Sequence, residues 1–188
     1  MNKIYLIAFL FGIYLSYGHE NIDYNPKVLD KEVEKIWGLK SFVKEEILIS
    51  DSMAGPRMNG KFFAIKGENQ NTPIKFAFIG RVNSCRAGGC SISNEVVSNA
   101  ESEYFDYFIL LDSTAKVELV KVFNYQATHG QEVTAKGWLK QFNGFDGTNN
   151  LEVGKNIDAI SGATISVYAI TCDVQIKTLI LKKLIGYK

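Results

Sequence analysis

Residues 158–164 of this chain read Asp-Ala-Ile-Ser-Gly-Ala-Thr and end in a hydroxyl where an apolar, periodic segment begins. That places Thr164 at, or one residue before, the start of a helix. The first backbone N–H groups of a helix have no intrahelical acceptor and point outward. Together with the helix dipole they favour an anion. A phosphate esterified to Thr164 would lie close to those donors. Gly162 removes a side chain where a bulky ligand must approach, and Ala163 keeps the next position small. Ser161 can fix the turn by a local hydrogen bond. Asp158 can hold it through backbone amides, and as an anion it is a poor phosphate ligand. The plainer reading of the same residues is an N-cap, supplied by Ser161 or Thr164.

A second stretch with chemical potential holds Cys85, Arg86, Gly88, Gly89 and Cys90. The glycines allow a tight turn that brings the two cysteines together. A structural disulfide is the plain reading, stabilising by about 2–3 kcal/mol on the loop-entropy account. A redox-active dithiol is the sharper one, because Arg86 would favour a thiolate. The glycines with Arg81 and Arg86 could also form an anion-binding nest. No metal site is expected: two cysteines make half a zinc site, and neither His19 nor His129 stands at a usual ligand spacing from them. Cys172 falls on an apolar stripe and reads as a core residue.

Residues Asp158, Ser161, Gly162, Ala163 and Thr164 resemble the attachment signature of bacterial FMN-binding domains. These include flavin subunits of the sodium-pumping quinone reductase and of the related Rnf complex. The resemblance implies FMN held covalently on Thr164 through a phosphoester. A separate, magnesium-dependent flavin transferase would move FMN there from FAD, so Thr164 would be a substrate residue in maturation and no residue of the chain is assigned as catalytic. The family often carries Glu-Thr-Pro-Gly near the flavin ring. The comparable place here reads Ala127-Thr128-His129-Gly130, so Thr128 and Gly130 match as cofactor-binding positions while Ala127 and His129 depart. After the threonine the family often has Thr-Ser, and Ile165-Ser166 keeps only the serine. The resemblance thereby implies an electron-transfer flavoprotein without stand-alone catalysis, served by separate redox partners, with a membrane reductase complex as one candidate. The competing functions are a disulfide-stapled binding module without flavin and a thiol redox protein using Cys85 and Cys90.

The elements that must position these residues are legible from periodicity. Asn25-Pro26 opens a helical pattern, with Asn25 as N-cap and Pro26 as first helical residue. Val28, Leu29, Val33, Ile36 and Trp37 recur at helical spacing, and Gly38 stops it. Strand signals occupy residues 42–49, 62–65, 74–82, 104–111 and 116–125. The last two form an antiparallel hairpin through Asp112-Ser113-Thr114, with Val117, Leu119 and Phe123 on one face. Residues 133–142 suggest a short helix weakened by Gly137, in which Trp138 and Phe142 pack as core or flank a ligand ring. The final helix spans 165–184 with two apolar stripes, Val167, Ile170, Val174 and Leu181 in one, and Ile165, Ala169, Cys172, Ile176 and Leu179 in the other. Two stripes imply burial on most sides. The expected fold class is α+β, a mainly antiparallel sheet packed by helices.

The chain has 188 residues, 46% hydrophobic and 22% charged, the make-up of one well-packed domain. The expected division is a signal peptide at 1–18, an N-terminal helix and first strands at 19–73, and the FMN-binding part at 74–188, the last two forming one compact domain. Lys3 followed by an apolar run to Tyr17 reads as a signal peptide cut near Gly18, with an uncleaved anchor as the alternative. This implies export, to the periplasm or the outer face of the cytoplasmic membrane, where disulfides persist. Removing Lys3 from the 21 basic residues leaves 20 against 20 acidic ones. Such a balanced chain offers no basic face for nucleic acid and no polybasic cluster for anionic lipid.

Overall fold

A computed structural model of the protein describes residues 21–50, 53, 58–68, 72–84 and 103–186. The leader at 1–18 and the residues Cys85, Arg86, Gly88, Gly89 and Cys90 lie outside the described residues.

Among the described residues, five strands form one antiparallel meander in the order β1-β2-β3-β4-β5. They are β1 Phe42–Ile47, β2 Gly60–Gly67, β3 Lys75–Asn83, β4 Tyr104–Leu111 and β5 Val117–Tyr125. Helix α1, Lys27–Trp37, covers one face. The short α2, Lys136–Leu139, and the long α3, Thr164–Leu184, cover the other. The fold is thus α+β. A boundary at residue 73 falls between two paired strands, because Phe62 in β2 lies opposite Phe78 in β3.

Helices on both faces explain why β3 and β4 read as continuous apolar runs. On the α3 side lie Phe62, Phe78, Phe105, Tyr107 and Ile109, packed on Val167, Ile170, Val174 and Leu181. On the α1 side lie Phe63, Ile65, Ala77, Ile79, Phe108 and Leu110, packed on Leu29 and Val33. Alternation along a strand sends successive residues to opposite faces. Both faces are dry here, so both carry apolar residues.

Four sequence expectations are corrected locally. Pro26, not Asn25, is the residue flanking α1, because the Asn25 carboxamide accepts from Lys44 Nζ at 2.5 Å instead of capping. Gly38 ends α1 as expected, at φ 69 with its N–H on the Glu34 carbonyl. Val117 does not share a face with Leu119 and Phe123. The β4–β5 register shifts twice, at Leu110/Leu111 and at Asp106/Tyr107, and an extra residue reverses which face follows. Val117 therefore joins the α3 core, while Leu119 and Phe123 pack towards α1. Residues 131–142 are a 3₁₀ turn, the single turn of α2 and a second 3₁₀ turn, rather than one helix.

The fourth correction concerns α3. Its inner face is the first stripe, together with Ser166, Thr171, Lys177 and Thr178, all buried. The two threonine hydroxyls donate to carbonyls one turn back, Val167 at 2.7 Å and Val174 at 2.9 Å. The second stripe is split: Ala169 is buried in the core, Ile165, Cys172 and Ile176 are partly buried and Leu179 is 43% exposed, so Cys172 is not the fully buried core residue its stripe implied. A sheet meets one side of a helix, and the described chain has no layer beyond α3 to bury the other.

Candidate functional site

Thr164 is the first residue of the 21-residue α3, and Ala163 is the residue flanking it, with φ −114 and ψ 18. No side chain caps this end, and the first turn carries no acidic residue. Neither Ser161 nor Thr164 acts as the N-cap, so the plainer reading of the motif fails on geometry. The exposed Thr164 hydroxyl stands beside backbone N–H groups that have no intrahelical acceptor. With no acidic residue in the first turn to offset it, the positive end of the helix dipole is open to an external anion, although the Glu103 carboxylate lines the same cleft.

The segment before Thr164 is an arch held at intervals of three. Ile157, Ile160 and Ala163 turn inward, the first and last almost wholly buried and Ile160 packed on the α3 core. Asp158, Ala159, Ser161, Gly162 and Thr164 are exposed. Gly162 has φ +81, and a Cβ there would meet nothing within 4 Å. Its role is therefore the left-handed backbone, which lets the arch turn into the helix, as well as open space on its outer side. The Ala163 N–H closes the turn on the Ile160 carbonyl at 3.1 Å.

Asp158 is held differently from the expectation. Its backbone is clamped from α2 and the turn after it: its N–H donates to Gln141 Oε1 at 2.8 Å, and its carbonyl accepts from Trp138 Nε1 at 2.9 Å. Gln141 Nε2 in turn donates to the Trp138 carbonyl at 3.1 Å. Trp138 meets the buried Phe142 edge-on, ring centroids 5.4 Å apart. Trp138 is thus both a packing residue and a support for the motif.

On the other side of the arch lies Gly130, at φ +87. A Cβ there would come within 2.8 Å of Ser166 Oγ and 3.4 Å of Ala163 Cα. Gly130 is therefore a back wall against which the helix start rests. The Tyr125 hydroxyl fixes this loop by donating to the His129 carbonyl at 2.6 Å. Thr128 donates its hydroxyl to Glu103. Ser84 and Ser166, both buried, share a hydroxyl–hydroxyl hydrogen bond of 2.5 Å that ties the end of β3 to α3.

These parts enclose a cleft of about 240 Å³ lined by Ser84, Glu103, His129, Gly162, Ala163, Thr164, Ile165 and Ser166. The fold thus brings Gly162, Ala163 and Thr164 to one cleft, with Gly130 behind it and Thr128 hydrogen-bonded to its wall. Asp158 lies at the far foot of the arch, on the clamp, and Ser161 lies on the exposed arch. Ser84, Glu103 and Gln141 carry no sequence signal, since each gains its place through tertiary contact. The Arg81 guanidinium pairs with buried Asp106, Nε–Oδ1 2.7 Å and the second nitrogen 3.0 Å from Oδ2, and lies 3.6 Å over the Tyr104 ring, while the other residues of the expected nest lie outside the described residues. Among the described residues, no group of three or more His, Cys, Asp or Glu could hold a metal.

Deeper under α3 lies a buried polar cluster. The Tyr107 hydroxyl donates to Asp173 at 2.5 Å, and Lys177 Nζ reaches the other Asp173 oxygen at 2.8 Å. Lys177 is 1% exposed and lies over the Phe78 ring at 5.2 Å. Burial, reinforced by the Asp173 charge, holds the Tyr107 phenol well above its ordinary pKa.

The FMN-binding domain family model matches residues 93–175. That span takes in β4, β5, the Gly130 loop, α2, the arch and the first part of α3. No curated protein matches the chain. Residues 93–175 thus carry the match to an FMN-binding domain, which supports an FMN-binding flavoprotein.

Proposed function

We propose, from that domain and the cleft at its centre, that the protein is an exported electron carrier whose FMN is esterified to Thr164 by a separate flavin transferase. The observation that carries this reading is an exposed hydroxyl on the first residue of an uncapped helix, at the lip of a cleft. The transfer balances simply. The Thr164 Oγ displaces AMP from FAD: an O–P bond to the FMN phosphate forms, the P–O bond to AMP breaks, and AMP leaves. The hydroxyl proton passes to a base on the transferase, with magnesium bound there.

The residues present fit the group. Gly162 leaves open space where the phosphate end must pass, and the outward N–H groups of α3 face its charge. Ser84, His129 and Glu103 offer polar walls. At about 240 Å³ the cleft is smaller than the roughly 300–1,000 Å³ that encloses a drug-sized ligand. The described walls therefore cradle part of an FMN. When bound, FMN supplies the redox chemistry, and the protein sets its exposure and orientation. The chain's electron donors and acceptors would be separate proteins, a membrane reductase complex among them.

The test is co-expression with a flavin transferase followed by denaturing electrophoresis. Wild type should give a flavin-fluorescent band that survives denaturation, and Thr164→Val should abolish it. A band that persists in Thr164→Val refutes this anchor. A chain that stays unlabelled with active transferase and FAD refutes covalent attachment.

A further inference from the structure

We infer that Trp138 and Gln141 are positioning residues for the maturation step: they hold the arch in the shape in which Thr164 is presented to the transferase. This rests on the reading that Thr164 accepts FMN.

Apart from buried Ala163, the residues that bear the motif face solvent, whereas the arch is held from behind. At its helix end the hold is apolar and steric, Ala163 resting against Gly130. At its other end the hold is polar and lies wholly in the backbone of Asp158. Gln141 takes the N–H and Trp138 takes the carbonyl. The two side chains come from one turn and brace each other through the Gln141 amide. Such a clamp reads no side chain at position 158. It fixes φ and ψ there and leaves the carboxylate outside.

An exposed arch between two such fixed points is preorganised, and preorganisation lowers the ordering cost of being bound by a partner. Without the clamp, the presenting conformation becomes one of several. A partner that selects it then sees an apparent affinity reduced by the fraction populated. One neutral hydrogen bond contributes about 0.5–1.5 kcal/mol, so losing the Gln141 acceptor should weaken recognition about three- to tenfold. The chemical step on a correctly bound arch should be unchanged.

The experiment uses the full chain with purified flavin transferase, FAD and magnesium, and measures initial labelling rates by in-gel fluorescence over a range of chain concentrations. Gln141→Leu removes the acceptor at similar volume. It should raise KM about three- to tenfold with kcat nearly unchanged, and labelling should still reach completion. Gln141→Glu keeps an acceptor for the Asp158 N–H and should restore most of the wild-type KM. Trp138→Phe, which keeps the packing on Phe142 and loses the donor, should behave like Gln141→Leu. Amide exchange at Asp158 should quicken in Gln141→Leu with no transferase present.

A Gln141→Leu chain with wild-type KM overturns the inference and leaves the attachment reading standing. So does a lower labelling endpoint at unchanged KM, which would mark a loss of folded protein only. A wild-type chain that never labels overturns both, and the Thr164→Val comparison identifies that case.

Discussion

Gly130→Ala is the substitution on which the site geometry makes its sharpest demand. Gly130 stands at φ +87, where an L side chain costs about 1–2 kcal/mol. The added Cβ would lie 2.8 Å from Ser166 Oγ, so that oxygen must move. Ser166 is 2% exposed, and its hydroxyl holds Ser84 at 2.5 Å. Moving it breaks a buried hydrogen bond, at about 1–3 kcal/mol. Behind it stands Ala163 Cα at 3.4 Å, the backbone that carries Thr164. The sum is about 2–5 kcal/mol, or roughly 4–20 °C in Tm for a chain of this size. Urea unfolding of the wild type, Gly130→Ala, Ser166→Ala and the double variant separates the terms. In the Ser166→Ala background the closest clash is gone while the Tyr125 hydroxyl at 3.2 Å and Ala163 Cα at 3.4 Å remain, so the cost should fall towards the backbone value of about 1–2 kcal/mol. The same series should show slower FMN labelling in Gly130→Ala, because the helix start is pushed outward. A Gly130→Ala chain that melts within about 2 °C of wild type refutes the back-wall argument.

Other outcomes concern the cluster beneath α3. Asp173→Asn leaves Lys177, 1% exposed, without its counter-charge, and should destabilise the fold by about 3–5 kcal/mol in equilibrium unfolding. Lys177→Met in the Asp173→Asn background should recover much of that loss, because the uncompensated charge is gone. Burial raises the Tyr107 phenol above its unfolded value near 10, so between those two values the folded state holds a proton that the unfolded state has released. Stability should therefore be intact below pH ~10 and fall as pH rises beyond it. Tyr107→Phe should reduce that alkaline slope in melts from pH 8 to 11.

The motif at 158–164 and the order of elements were legible because their signals are local. Periodicity marks the last helix, Gly38 marks the end of α1, and two runs rich in β-branched and aromatic residues around turn chemistry mark the β4–β5 hairpin. A short run of small residues before a periodic segment marks Thr164 as a helix start. What failed was also local in cause. The register shifts that move Val117 to the other face leave no trace in composition. The first stripe of α3 was legible as its buried side, but periodicity gave no sign that Lys177 also lies inside, on Asp173 and Phe78.

The sequence alone determined that a threonine would open a long apolar helix after a small-residue turn, within an α+β chain whose 93–175 span matches the FMN-binding domain. Only the tertiary structure decided what surrounds that threonine. Ser84 and Glu103 come from the ends of the sheet, just after β3 and just before β4, Gly130 from the loop after β5, and Trp138 and Gln141 from the turns before the arch. Each contributes through a contact with a residue far along the chain. Such contacts exist only once both partners are fixed on the sheet, so no window of sequence contains them.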